Sequence, residues 1–89
     1  IINDGPWDTT CALVGCMPSK VLISTANSIY YIQNAQKVGL NASVDINTDQ
    51  VMEHVRTLRD RFTKATLNDV EHWPTEHKIS CKALFIDSE

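Results

Sequence analysis

Pro18, Gly39 and Pro74 bracket two long stretches of this 89-residue chain that hold no other glycine or proline, and apolar residues recur in both at helical spacing. In the first, Leu22, Ala26, Ile29, Ile32 (or Tyr30) and Ala35 follow one another at three- and four-residue steps, which predicts a helix over 18–38 with one apolar stripe. Pro18 suits its first turn, where a missing N–H costs nothing, and Gly39 suits a left-handed stop. In the second, Asn47 is placed to cap and Gln50 stands where a capping-box partner belongs. Val51, Val55, Leu58, Phe62 and Ala65 then make a heptad-like seam, predicting a helix over 47–73 that Pro74 closes.

Two helices with one apolar stripe each, joined by about ten residues, must cover those stripes on each other as an antiparallel hairpin or on something else. At the ends, Ile1-Ile2 before Asn3-Asp4-Gly5-Pro6 reads as the last residues of a buried strand. The alternation of Ile79, Cys81, Ala83 and Phe85 with Ser80 and Lys82 predicts another over 78–86. The expected fold class is therefore mainly α, two long antiparallel helices with short terminal strands. A chain of this length makes one small unit that buries only about 60 % of its unfolded surface. It begins at Ile1-Ile2 without methionine and ends in Asp87-Ser88-Glu89, so an excerpt of a longer protein is expected. Any apolar surface left over would be covered most cheaply in a two-fold dimer of hairpins.

Eight Lys+Arg against eleven Asp+Glu give a net charge of -3, which leaves no basic face for phosphate neutralisation. No apolar run approaches the roughly 20 residues of a bilayer span, and no charged segment followed by an apolar one opens the chain. Nucleic-acid and membrane partners are not expected, and a cytoplasmic location is.

The chemistry concentrates at Cys11 and Cys16, just before the first helix. Their sulfurs can meet if Ala12-Leu13-Val14-Gly15 makes about one helical turn, yet a disulfide closing so short a loop removes little unfolded-chain entropy. Reactivity explains the pair better than stapling, because the partial positive charge of a helix N-terminus favours thiolate. Gly15 permits close backbone approach, Pro18 fixes the helix entry, and Ser19 and Lys20 place a hydroxyl and a cation one turn further on. The plainer alternative is two small buried hydrophobes that happen to be near in sequence. A second alternative is zinc, since His72 and His77 share the spacing of the cysteine pair, although the two pairs lie far apart. His54 reads as solvated, His72 and His77 as surface residues, and Cys81 as a core residue or inert thiol.

The run Thr9-Thr10-Cys11-Ala12-Leu13-Val14-Gly15-Cys16-Met17-Pro18-Ser19-Lys20 resembles the redox-disulfide signature of the flavin-dependent pyridine nucleotide–disulfide oxidoreductases, in the dihydrolipoamide dehydrogenase branch. The resemblance implies that residues 1–89 are part of an FAD-binding domain: strand end, loop and signature over 1–20, helix 18–38, helix 47–73 and strand 78–86. The parent would be a Rossmann-like α/β protein binding FAD and NAD(P). It implies a redox-active Cys11–Cys16 disulfide in which Cys11 exchanges with a dithiol, either a small molecule or a lipoyl domain, and Cys16 passes the electron pair to FAD and on to NAD.

By the same match Thr10 lies along the cofactor, Lys20 touches the flavin region, Gly15 and Cys16 stand beside it, and Asn3 and Asp4 occupy the ribose-binding position. No metal is implied, a homodimer is, and this stretch by itself is expected to be inactive. Two departures stand out. Asn3 or Asp4 stands where the family has an acidic residue closing the strand, and Asp8-Thr9 replaces a glycine pair. The competing reading is a non-catalytic helical interaction module built on the Val51-to-Ala65 seam.

Overall fold

The structure, a computed structural model, describes residues 1–88. Strand β1 (Ile2–Asn3) leads through a loop to a one-turn helix α1 (Thr10–Leu13). Helix α2 (Cys16–Asn34) continues into a 3₁₀ turn at Ala35–Val38, and helix α3 (Thr48–Glu71) is followed by a second 3₁₀ turn at Thr75–His77 and by strand β2 (Ile79–Ser80). The fold is mainly helical, as the spacing predicts.

Each long helix ends where its sequence stops supporting it. Asn47, in extended backbone, accepts the Gln50 N–H on its Oδ1 at 3.1 Å, and Asp49 adds a carboxylate to the first turn of α3. Lys78 Nζ donates to the Val70 carbonyl at 3.1 Å and satisfies an acceptor in the last turn. Helix α2 begins at Cys16, two residues before Pro18, so proline occupies its third position, where no intrahelical donor is lost. Its far end tightens, and Gly39 at φ 83° takes the left-handed position. The Gly39 N–H donates to Gln36 O at 3.2 Å and the Leu40 N–H to Ala35 O at 3.1 Å, the two-bond pattern of a Schellman stop.

The two helices run antiparallel. Met17 and Val21 at the start of α2 share a groove with Leu58 and Phe62, and Ile29 and Ile32 near its end share one with Gln50 and Val51. On α3 the predicted seam holds through Val55 and Phe62 but leaves Ala65 exposed and passes instead through Thr66 to buried Val70. On α2 the stripe is rotated. Val21, Thr25, Ile29 and Ile32 turn inward, whereas Leu22 and Ala26 are exposed. Apolar residues stand on both sides of α2, Leu22 and Ile23 among them, so periodicity alone does not select the face that meets α3. The short α1 packs against both long helices and buries Ala12.

Strands β1 and β2 pair in parallel, Ile2 opposite Ile79 and Asn3 opposite Ser80. The amino terminus donates to His77 O at 2.6 Å and the Ile79 N–H to Ile1 O at 2.9 Å. The strand predicted over 78–86 is confined to these two residues. Its partner has run out, because Asn3 Nδ2 donates to Gly5 O and Pro6 O, each at 2.9 Å, and turns the chain away directly after the Asn3–Ser80 rung. Beyond Ser80 no described residue supplies a pairing edge, and Phe85 and Ile86 are fully exposed.

Among the described residues only Ala12, Val55 and Val70 form a buried apolar core. The radius of gyration is 20.4 Å, against about 12 Å for a compact domain of this length. The accessible surface is 7482 Å², against roughly 5,200 Å² for a compact protein of this mass. The hairpin therefore presents apolar surface that a globular chain would cover. No helix among the described residues is long and apolar enough to cross a membrane.

Candidate functional site

The cysteine pair straddles the junction of two helices. Cys11 is the second residue of α1 and Cys16 the first of α2, and both are free and exposed. The helical turn between them spans Thr10–Leu13, two residues earlier than the stretch marked from spacing. Thr9 explains the shift: its Oγ1 accepts the Ala12 N–H at 3.1 Å and its carbonyl the Leu13 N–H at 3.1 Å, capping α1 at a point where a threonine before an apolar pair was the available signal. The buried-hydrophobe alternative does not describe these cysteines. Cys81 is exposed as well, so it is a surface thiol rather than a core residue.

Gly15 joins the two helices at close quarters. A Cβ there would lie 2.9 Å from the Thr10 carbonyl oxygen and 3.5 Å from the Cys11 Cα. The Thr10 carbonyl meanwhile accepts the Val14 N–H at 3.1 Å. On the α2 side, the Ser19 N–H donates to Gly15 O at 3.3 Å and Ser19 Oγ to Cys16 O at 3.0 Å, which anchors the first turn of α2 to the junction.

The electrostatics at Cys11 run against the helix-mouth expectation. The neighbouring Cys16 side chain, acting chiefly by hydrogen bonding, holds the Cys11 thiol above its ordinary range. Desolvation and repulsion from Cys16 add to the shift, while a hydrogen bond from the Cys16 backbone and the charge of Lys20 oppose it. The Cys16 backbone N–H, the first of α2, thus acts on Cys11 in the expected direction but does not outweigh the Cys16 side chain. Lys20, exposed one turn beyond Cys16, is the cation that acts on Cys11.

The residues assigned to a flavin nucleotide divide into two groups. Thr10, Cys16 and Lys20 are exposed near the helix junction and offer a hydroxyl, a thiol and a cation. At the strand end stand Asn3 and Asp4. The Asn3 amide is committed to the turn through Gly5 O and Pro6 O, and its Oδ1 accepts the Gly5 N–H at 3.4 Å, while Asp4 stands exposed. The adjoining cavity, about 320 Å³ between β1 and the end of α3, carries the carboxylates of Asp8 and Asp69 beside Trp7 and Trp73. Asp8 Oδ1 accepts the Thr9 N–H at 2.6 Å, and its Oδ2 is buried without a partner.

His54, His72 and His77 are exposed, as read from sequence. His72 Nδ1 lies 2.6 Å from Asn68 O in its own helix. Among the described residues no three His, Cys, Asp or Glu side chains converge on a metal-sized site, so the zinc alternative built on Cys11, Cys16, His72 and His77 lacks its geometry.

No protein-family model matches the chain. Residues of this chain are 29% identical over 63 positions to a dihydrolipoyl dehydrogenase of Haloferax volcanii; the match covers 71% of this chain and 13% of that protein. The likeness is distant and partial.

Proposed function

We propose that this chain is the redox-disulfide segment of a dihydrolipoyl dehydrogenase-like flavoprotein, a dithiol oxidoreductase that uses FAD and NAD. The observation that carries this reading is the placement of two free, exposed cysteines on either side of one helix junction, with Lys20 one turn further along. The distant likeness to the Haloferax volcanii dihydrolipoyl dehydrogenase supports it.

In this reading Cys11, the cysteine on the short helix, takes the attack of a substrate thiolate while the pair is bridged. A mixed disulfide forms at Cys11 as Cys16 leaves, and the second substrate thiolate then displaces Cys11. The substrate ends as a disulfide and the pair as a dithiol, with the electron pair now on the two protein sulfurs. Lys20 favours the Cys11 thiolate by charge. FAD, with NAD as final acceptor, is the electron sink that returns the pair to the disulfide. The substrate class is a dithiol, either a small molecule or a lipoyl group on a protein domain, and the working unit is a homodimer. Apolar surface left bare on the hairpin is covered by the remainder of the flavoprotein, which accounts for a core of so few residues.

The test uses the full-length protein. Cys11→Ser and Cys16→Ser should each abolish dithiol-dependent NAD reduction while leaving flavin absorbance in place. Full activity in the double serine variant, or a reducible bond mapped by mass spectrometry anywhere other than Cys11–Cys16, would defeat the reading.

A further inference from the structure

We propose that Gly15 is a positioning residue for the cysteine pair: the missing Cβ lets the turn bearing Cys11 close on the turn bearing Cys16, and so sets the equilibrium between dithiol and disulfide. The proposal rests on the redox reading of that pair and deepens it.

The contact that a side chain would make is with backbone on all counts, Thr10 O at 2.9 Å, Thr10 C at 3.5 Å and Cys11 Cα at 3.5 Å. None of these atoms can rotate away as the tip of a side chain would. Relief requires moving either the carbonyl that accepts the Val14 N–H, and Cys11 with it, or the start of α2, and Cys16 with it. A disulfide tolerates only a narrow range of Cα separation, whereas two thiols can splay freely. The displacement therefore weighs on the bridged form more than on the open one. At Gly5 and Gly39 a Cβ would meet nothing within 4 Å, so this demand is peculiar to Gly15.

The experiment equilibrates the full chain, in a Cys81→Ser background, with glutathione and glutathione disulfide. Closing the bridge releases two protons and two electrons from Cys11 and Cys16; glutathione disulfide takes both and becomes two glutathione molecules. After acid quenching and thiol labelling, mass spectrometry gives the bridged fraction. Gly15→Ala should lower the equilibrium constant for bridge formation roughly tenfold, equivalent to about 30 mV.

Gly39→Ala, which strains a left-handed position far from the cysteines, should leave that constant unchanged, and this separates positioning from general loss of stability. Where Gly15→Ala fails to fold, Thr9→Ala replaces it. It loosens the same turn by removing the α1 cap and should shift the constant the same way by a smaller factor. An unshifted constant in the folded Gly15 variant, or in Thr9→Ala when that variant stands in, overturns the positioning role while the bridge itself still forms in the parent. A parent that never bridges Cys11 to Cys16 overturns the redox reading and this proposal together.

Discussion

Trp7 Nε1 donates to Ser80 Oγ at 3.0 Å, tying the loop that leaves β1 to the second rung of the parallel ribbon across 73 residues of sequence. The bond is exposed, so its net worth is about 0.5 kcal/mol. Trp7→Phe and Ser80→Ala should each cost about that much in urea unfolding through loss of the bond, and the double variant should cost no more on that account. Strict additivity in the double-mutant cycle would show that the pair contributes nothing.

Cys11 reactivity should respond in opposite directions to its two neighbours. Cys16→Ala removes the side chain that raises the Cys11 thiol, so more thiolate is present at a given pH and alkylation by iodoacetamide at about pH 8 becomes faster. Lys20→Met removes an opposing charge, and alkylation slows. Because the folded chain holds this proton more firmly than the unfolded one, the contribution to stability is present below the ordinary value of 9.0. It declines as pH climbs through the raised folded value, and Cys16→Ala should flatten that decline. Equal alkylation rates in all three proteins would contradict the assigned cause.

The glycines should differ in kind. Gly39→Ala meets no atom but holds φ at 83°, so its cost is conformational, about 1 kcal/mol. Gly5→Ala meets no atom and has no positive φ, and its unfolding free energy in urea should stay within about 0.5 kcal/mol of the parent.

Val55 is 6% exposed between the long helices, and Val55→Ala should cost about 2 kcal/mol. Tyr31, 73% exposed on α2, should cost under about 0.5 kcal/mol on mutation to Ser in the chain as it stands. Urea unfolding compares the two, and an equal loss would mean that the Tyr31 face is covered.

What the sequence disclosed about fold and site follows from how local each signal is. Helix limits at Asn47 and Gly39 were readable because a cap and a left-handed stop are decided by the residue and its immediate neighbours. The inward face of α2 was not, since Val21 and Leu22 are equally apolar and only the position of α3 chooses between them. The extent of β2 depended on where β1 ends, a fact held in the Asn3 amide near the start of the chain. At the site, the cysteines and Lys20 stood out by spacing. The one-turn helix, the Thr9 cap, the close approach of Thr10 O beside Gly15 and the commitment of Asn3 to its own turn are set by the three-dimensional arrangement of the chain.

Parallel pairing of Ile2 with Ile79 and Asn3 with Ser80 also fixes how the unit answers mechanical load. The amino terminus leaves one end of the ribbon and the segment after Ser80 leaves the other, so tension between them drags the strands lengthwise and strains both rungs at once instead of peeling them in turn. The helical hairpin, which departs and returns beside that ribbon, is shielded from the pull until the rungs give way.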